Sequence, residues 1–190
     1  MDRQEFSLKF NLNSFKIRSQ APDLFPQARK QSAVLIGLTE RNGMLHVLLT
    51  KRAAHLRSHA GQIAFPGGKV DEQDDNIVTT ALRETEEEIG LARQKLEVFA
   101  QLPSYKTISG FQITPVVAFF EHYEKLTKSP DEVEEIFFVP LQHFLMTKNR
   151  ITVDVEFNNR QHKVHFTPYK NYNIWGATAA ILSDLALHLA

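Results

Sequence analysis

Four glutamates within five consecutive positions constrain this chain more than any other feature of its sequence. They read ETEEE over 84–88. Apolar residues recur at helical spacing before and among them, which predicts a helix over about 75–89. Asp74 or Asp75 is the expected N-cap, and Gly90 stands where the end of a helix favours glycine. The four carboxylates therefore share one helix.

The faces of this helix separate a core side from an acidic side. At about 100° per residue, one stripe is expected to face the core. It contains Ile77, Val78, Ala81, Leu82, Thr85 and Ile89. Glu84, Glu87 and Glu88 lie at i, i+3 and i+4 on the neighbouring face, whereas Glu86 points the other way. A divalent cation would reverse the repulsion among these three carboxylates, so they are candidate metal ligands. A solvated acidic surface is the alternative interpretation.

Seven residues of this region match a known pattern. They are Gly68, Arg83, Glu84, Glu87, Glu88, Gly90 and Leu91. They resemble the Nudix box, Gly-x5-Glu-x7-Arg-Glu-U-x-Glu-Glu-x-Gly-U, in which U is apolar. Fourteen residues separate Gly68 from Arg83 where the pattern has thirteen, and Asp74 or Asp75 replaces the upstream Glu. The resemblance implies an α/β fold, an α/β/α sandwich around a mixed β-sheet, with Mg²⁺ or Mn²⁺ as cofactor.

The stretch upstream of the glutamates narrows the resemblance. Residues 48–71 read LLTKRAAHLRSHAGQIAFPGGKVD, which contains LLT-x-R, LR-x-H-x-GQ and FPGG elements. These elements look like the extended signature of the Nudix coenzyme A pyrophosphatases, as do residues 109–117 and 174–179. Those enzymes also carry an Asp-rich loop with one extra residue. The similarity covers about 33–188. It implies cleavage of coenzyme A or acyl-CoA into 3′,5′-ADP and (acyl-)4′-phosphopantetheine.

The site residues follow from this resemblance and from the chemistry of phosphates. Glu84, Glu87 and Glu88 are the expected metal ligands. Arg83 is expected to orient a ligand carboxylate rather than to touch the substrate. Five basic residues precede the helix and are the candidates for substrate contacts. They are Lys51, Arg52, Arg57, His59 and Lys69. Their alternative role is structural.

A general base is sought in the acidic loop over 131–135. A similar loop supplies a catalytic carboxylate in some Nudix enzymes. Glu132 is preferred over Glu134 and Glu135, and Glu87 is the alternative within the helix. A solvated loop without a catalytic role is the other interpretation.

Length and composition limit the function classes. A chain of 190 residues favours one domain over 1–190, with an N-terminal arm over 1–31 and the box over 67–91. The formal net charge is zero, which predicts neither a nucleic-acid nor a membrane partner. The expected partner, a small-molecule substrate, is what the resemblance implies. Cysteine is absent, and no apolar leader or span is seen, so a cytoplasmic protein is expected. The oligomeric state stays open, with a homodimer as one of the states considered.

Two other functions fit the same residues. One is hydrolysis of ADP-ribose or of dinucleoside polyphosphates by a related Nudix enzyme. The other is a Nudix-like module that senses a nucleotide without cleaving it. The intact set of helix glutamates favours an enzyme over a sensor.

The remaining elements follow from alternation and turn residues. A helix is predicted over about 4–18, and a hairpin over 33–39 and 44–50 around an Asn-Gly turn. Further strands are predicted over 62–65, 96–102, 111–121 and 133–139, a short helix over 141–146, and a second hairpin over 151–157 and 161–166. An amphipathic helix is expected over 176–189, with Asp184 and His188 on its polar side.

Overall fold

A mixed sheet of eight strands forms the centre of the fold. The structure, a computed structural model, describes residues 1–14, 30–121, 124–157 and 160–190. The strands of the central sheet are β1 (Lys30–Arg41), β2 (Met44–Arg52), β3 (Ile63–Ala64), β4 (Gly67–Lys69), β5 (Glu97–Gln101), β6 (Tyr105–Lys106), β7 (Phe111–Phe119) and β8 (Val133–Pro140). A separate two-stranded sheet contains β9 (Ile151–Phe157) and β10 (Arg160–Phe166). The helices are α1 (Arg3–Leu12), α2 (Ile77–Ile89), α3 (Leu141–Leu145) and α4 (Gly176–His188).

The strands of the central sheet lie in the order β3-β2-β1-β7-β5, with β8 beside β2, β4 beside β1 and β6 beside β7. Strands β1 and β7 run parallel, and the other pairs are antiparallel. The predicted first hairpin is confirmed. Strands β1 and β2 meet at Asn42 and Gly43, whose φ angles of 51° and 71° suit a two-residue turn.

Alternate residues of the sheet belong to two separate hydrophobic cores. Leu35, Leu48 and Val116 face α2 and pack with Ala81 and Ile89. Their chain neighbours face the opposite side, where α1, α3 and α4 lie. That second core includes Ile36, Leu49, Val117, Phe6, Phe144 and Leu185. Helices therefore cover both faces of the sheet, which confirms the predicted α/β/α sandwich.

The ends of α2 are fixed by a side chain and by a glycine. Asn76 is the N-cap, and its Oδ1 accepts two backbone N–H groups of the first turn at 2.9 and 3.0 Å. The prediction that Asp74 or Asp75 would cap the helix is wrong, because Asp74 instead bonds to Arg83. The predicted glycine end is confirmed, since Gly90 has a φ of 68° in the left-handed region.

Only the first part of the predicted N-terminal helix can be compared with the structure, which describes residues 1–14 of this region. The helix predicted over about 4–18 ends at Leu12. Residues 15–29 of the predicted N-terminal arm lie outside the described residues, as do residues 158–159 of the second predicted hairpin.

The terminal helix is more buried than its sequence suggested. Asp184 and His188, expected on a polar face of α4, are only 6% and 4% exposed. Helix α1 covers this end of α4, and the Nε2 atom of His188 lies 2.8 Å from the carbonyl oxygen of Phe10. Within the described parts of the chain, no helix combines the length and the apolar character needed to cross a membrane.

Gly67 lies too close to β1 to carry a side chain. A Cβ atom there would lie 2.3 Å from the carbonyl oxygen of Ala33 and 2.6 Å from the Cα atom of Val34. The φ angle of Gly67, 151°, is also one that other residues rarely adopt. This close approach brings the chain between β3 and α2 against the sheet.

The substitution Gly67→Ala tests this constraint. We expect it to lower the free energy of unfolding by about 3 kcal/mol, because neighbouring backbone must move. Gly43→Ala is the matched control, since Gly43 also has a positive φ, of 71°, but meets no atom within 4 Å. Its cost should be about 1 kcal/mol. Urea unfolding measures both, and equal losses would contradict the close-approach argument.

Candidate active site

The guanidinium group of Arg83 organises the candidate site by using all of its donors. Its Nε and Nη2 atoms donate to the two carboxylate oxygens of Asp74, each at 2.9 Å. Nη1 donates to Glu84 and Glu87, at 3.0 Å each, and Nη2 also donates to the carbonyl oxygen of Lys69 at 3.1 Å. An arginine has five N–H donors, so none is left over for a substrate. This geometry is compatible with the predicted orienting role.

Asp74, and not Asp75, is the aspartate that Arg83 contacts. The sequence alone did not decide which of the two replaces the upstream Glu of the box. The Asp74 side chain is 1% exposed. It accepts the two bonds from Arg83, a third from the Thr80 hydroxyl at 2.8 Å and a fourth from the backbone N–H of Asp71 at 2.9 Å. The bonds from Arg83 are the main reason why the pKa of Asp74 lies far below its usual range. Asp75, in contrast, is exposed.

Glu84 occupies the space that Gly68 leaves by having no side chain. A Cβ atom on Gly68 would lie 2.3 Å from the carboxyl carbon of Glu84. Burial raises the pKa of Glu84, and the charges of Glu87 and Glu132 add to this effect, while Arg83 opposes it. Any side chain at position 68 would therefore displace one of the candidate metal ligands.

Glu88 is a buried carboxylate with incomplete compensation. Its side chain is 3% exposed. The Gly67 N–H donates to one oxygen at 3.3 Å, and the Arg52 Nη1 atom lies 3.7 Å from the other. Burial, together with the charges of Glu132 and Glu84, raises the pKa of Glu88 to about 8 despite these two partners. A bound cation is the kind of partner that would stabilise such a carboxylate in its ionised form.

The three predicted ligands do not surround one point before an ion is bound. Glu84 and Glu87 both turn towards Arg83, whereas Glu88 points towards Gly67. Across the described ranges, no three acidic or histidine side chains are close enough to hold one metal ion. Mg²⁺ in particular commonly takes one or two carboxylates and completes its shell with water and substrate phosphates. The carboxylates present fit such an ion as a partial set of ligands.

The loop before β8 is docked on the end of α2. The backbone N–H of Ser129 donates to the carbonyl of Glu88, and that of Thr127 donates to the carbonyl of Ile89, both at 2.8 Å. These carbonyls have no partner within the helix itself. The contacts hold the loop that carries Glu132 beside the helix glutamates.

Of the three loop glutamates, Glu132 differs from its neighbours by being unengaged. Lys51 donates to Glu134 at 2.7 Å, and the hydroxyl of Tyr172 donates to Glu135 at 2.5 Å. The Glu132 carboxylate forms no hydrogen bond or ion pair with any described residue, yet its charge acts on both buried helix glutamates. This placement is compatible with the predicted base.

The five predicted substrate-binding residues are not gathered in one place. Arg52 reaches Glu88 on the α2 side of the sheet. Lys51, the preceding residue of the same strand, points to the other face and bonds to Glu134, which raises the pKa of Lys51. The split follows directly from the alternation of side chains along a strand.

The other three lie along the chain between β2 and α2. The Nδ1 atom of His59 lies 2.8 Å from the side-chain oxygen of Gln62. Arg57 is exposed and forms no ion pair with the described residues. The ammonium group of Lys69 lies 6.0 Å from the ring centre of Phe111.

Several contributors to the site were not predicted. Asn76 was not predicted as the N-cap because the two aspartates before it are equally good caps. The Gly67 N–H was not predicted as a partner of Glu88 because a backbone group cannot be recognised from residue type. Tyr172, which holds Glu135, lies too far along the chain to be linked to it from sequence.

The two aspartates allow a matched test of the Arg83 contact. Asp74→Asn should lower the free energy of unfolding by about 3 kcal/mol, because it leaves the largely buried Arg83 without its charged partner. Asp75→Asn changes the same group on an exposed neighbour and should stay within about 0.5 kcal/mol of the parent. Urea unfolding measures both variants. Similar values for the two would show that Asp74 does not anchor Arg83.

The pKa of Glu88 predicts how pH affects the metal-free protein. The pKa of Glu88 is about 8 in the folded state and about 4.3 in an unfolded chain. Between these values the folded state binds more protons than the unfolded state, so stability falls as pH rises. Glu88→Gln should therefore raise the melting temperature in EDTA at pH 9, and the gain should disappear towards pH 5. Glu86→Gln, at a half-exposed helix position where the carboxylate pairs with Arg93 at 2.7 Å, is the control. A pH-independent gain at Glu88 would contradict the assignment.

Comparison with known proteins places this geometry in a family. The sequence profile of the NUDIX domain matches residues 29–160. Proteins from Pectobacterium atrosepticum and Salmonella typhimurium, both called uncharacterized Nudix hydrolase NudL, are each 38% identical to this chain over 189 residues. The first alignment covers 95% of this chain and 96% of the relative, and the second covers 100% and 98%.

Solved structures agree on the fold. A Nudix hydrolase from M. Smegmatis, RenU, is 22% identical with a TM-score of 0.51, over 60% of this chain and 73% of that one. A MutT/nudix family protein from Enterococcus faecalis is 18% identical with a TM-score of 0.51, over 98% of this chain and 68% of that one. Identities this low show the fold alone. Since the domain profile covers more than half of the chain and the relatives match along nearly all of it, the protein belongs to the Nudix family.

Proposed function

We propose that the protein is a cytoplasmic, divalent-metal-dependent hydrolase that cuts the pyrophosphate of coenzyme A or of its acyl derivatives. The products are 3′,5′-ADP and 4′-phosphopantetheine or its acyl form. The observation that carries the hydrolase assignment is the buried carboxylate of Glu88, with Glu84 and Glu132 close enough to raise its pKa. Burial itself is the main cause of that shift.

The ligand set suits a hard divalent cation. Glu84 and Glu88 are the first-choice ligands, and Glu87 is the third. When bound, Mg²⁺ or Mn²⁺ polarises a phosphoryl group and promotes ionisation of water. Arg83 keeps the carboxylates of Glu84 and Glu87 oriented, and Arg52 keeps that of Glu88 in place.

Glu132 is the proposed general base. Its carboxylate is exposed and unengaged among the described residues, so it can accept the proton of the attacking water. The backbone contacts between its loop and the end of α2 keep it near the reacting phosphate. Glu134 and Glu135 are already engaged with Lys51 and Tyr172, which argues against either of them as the base.

The coenzyme A assignment is supported by the residues that surround the glutamates. The stretch over 48–71, with its LLT-x-R, LR-x-H-x-GQ and FPGG elements, contains both Arg52 and the glycine pair that contact the carboxylates. The same elements are typical of Nudix coenzyme A pyrophosphatases. Two further matching stretches, over 109–117 and 174–179, lie outside the box.

Product analysis tests the proposed substrate. The purified chain, with Mg²⁺ or Mn²⁺, is assayed by chromatography on coenzyme A, dephospho-coenzyme A, ADP-ribose and diadenosine polyphosphates. We expect coenzyme A to be cleaved, with dephospho-coenzyme A at least about tenfold lower in kcat/KM, because a charged hydrogen bond contributes about 1.5–3 kcal/mol. A preference for ADP-ribose, or other products, would reject the substrate. Nucleotide affinity without turnover would indicate a sensor.

Substitutions of three neighbouring glutamates test the assignment of the general base. Glu132→Gln should lower kcat by about 10²–10⁴-fold and remove the acidic limb of the pH profile. Glu134→Gln and Glu135→Gln are matched controls, because they neutralise carboxylates of the same loop that are already engaged. Their losses should be much smaller. An unchanged rate for Glu132→Gln at saturating Mg²⁺ would exclude it as the base.

A further inference from the structure

Strand β9 is an open edge of the small two-stranded sheet. Within the described ranges, β9 pairs with β10 alone. The other edge of this sheet is partly occupied, since Phe166 of β10 forms a bridge with Trp175. An edge strand presents a row of backbone N–H and C=O groups with which a further strand can pair. A two-stranded sheet gains from such a partner, because isolated hairpins are only marginally stable.

One face of β9 is apolar and exposed to solvent. Ile151, Val153 and Val155 alternate along the strand and therefore project from the same face, with exposed fractions of 49%, 43% and 37%. The row continues across β10, where Phe166 is the direct neighbour of Ile151 and stacks with Trp175. Single apolar residues on a surface are ordinary, whereas a contiguous exposed row indicates an interaction surface.

A second copy of the chain can pair with this edge in the antiparallel orientation. Two identical strands related by a two-fold axis place residue i opposite residue j, and j opposite i. Residues directly opposite each other in an antiparallel pair share one face of the sheet. Because the two faces alternate along a strand, i and j must then be both odd or both even. The axis therefore passes beside one residue of β9 and not between two residues.

An axis beside Val153 matches apolar residues with apolar residues and opposite charges with each other. Val153 then lies opposite Val153 of the second copy, and Ile151 lies opposite Val155 of the second copy. One pair further out, Arg150 lies opposite Glu156 of the second copy. Glu156 is exposed, and Arg150 is half-buried with an Nε atom that has no partner among the described residues. Opposite charges in directly opposite positions stabilise an antiparallel pair.

The neighbouring registers are less favourable. An axis beside Asp154 places two Asp154 carboxylates opposite each other, and an axis beside Val155 places Asp154 opposite Glu156. An axis beside Thr152 leaves Val155 and Glu156 opposite Thr147–Asn149, a 3₁₀ turn that does not continue the strand. The acidic residues of β9 thus disfavour other self-pairings of this edge while they allow the one centred on Val153.

We propose that β9 pairs with β9 of a second copy about a two-fold axis beside Val153, so that the protein is a dimer joined by a continuous four-stranded sheet. The exposed apolar rows of the two copies then form one surface across the axis. Each dimer contains the pair of Arg150 and Glu156 twice. This inference goes beyond the proposed function and does not rest on it, because it involves none of the residues placed in the active site.

Cysteine cross-linking tests the register, since the chain has no cysteine of its own. With a mild oxidant, Val153→Cys should form a disulfide-linked dimer, because directly opposite Cα atoms lie about 4.5–5.5 Å apart, a distance that a disulfide spans. Val155→Cys is the matched control on the same face. Its two copies would lie four positions apart along the strands, about 13 Å, and should stay unlinked. Absence of the link in Val153→Cys, or equal linking of both variants, would overturn the proposal.

A charge exchange tests the ion pair between the copies, with sedimentation equilibrium as the measurement. The parent should form a concentration-dependent dimer. Arg150→Glu and Glu156→Arg should each raise its Kd by about tenfold, because each places like charges opposite one another twice per dimer. The double variant Arg150→Glu/Glu156→Arg should return to the Kd of the parent.

Recovery in the double variant can only come from a contact between copies. Within one chain the two positions are six residues apart along an extended segment, about 20 Å, so they cannot pair with each other. A parent that stays monomeric, or a double variant that dimerises no better than the single variants, would reject the β9 interface.

Discussion

The two-pronged contact between Arg83 and Asp74 is the interaction on which the site depends. It joins the loop before α2 to the middle of that helix, and the remaining donors of Arg83 reach β4 and two helix glutamates. A guanidinium group is suited to this because its donors form a rigid planar fork. A lysine at the same position could not hold both oxygens of Asp74 and the two glutamates at once. The loop, the strand and the acidic helix thus share one anchor.

The same arrangement concentrates negative charge where the fold alone would avoid it. Glu88 is buried and has an N–H group and a distant arginine as its partners, and Glu84 is packed against Gly68. Both groups have pKa values raised chiefly by burial. Burying these carboxylates therefore reduces the stability of the metal-free protein, and a bound cation, as we propose, would offset that cost. The glycine pair makes this packing possible, because any side chain there would collide with β1 or with Glu84.

Much of the fold could be predicted because local signals agreed with the tertiary structure. The Asn-Gly turn, the helical stripe of α2 and Gly90 each have one dominant local preference. The N-cap was missed because Asp74, Asp75 and Asn76 are all good caps, and only the tertiary contact with Arg83 decides among them. Asp184 was misjudged on α4 because its burial depends on distant elements that cover the helix.

The sequence predicted which helix carries the candidate ligands better than it predicted how their side chains are grouped. The spacing places Glu84, Glu87 and Glu88 on one face of α2, but the side chain of Arg83 holds Glu84 and Glu87 away from Glu88. Lys51 and Arg52 are adjacent in a strand, so their side chains point to opposite faces of the sheet. This separation could have been predicted from the sequence, because both residues lie at the end of a predicted strand.

We propose that the acidic face of α2 is a cation site and not a solvated surface. Electron paramagnetic resonance of Mn²⁺ tests it most directly, since free Mn²⁺ gives a signal that binding removes. Titration of the substrate-free parent should reduce this signal stoichiometrically, and so should titration of Glu86→Gln, which neutralises a glutamate on the other side of the helix. The double variant Glu84→Gln/Glu88→Gln should leave the signal at its free value. Equal binding by the parent and the double variant would show that Glu84 and Glu88 do not hold the ion.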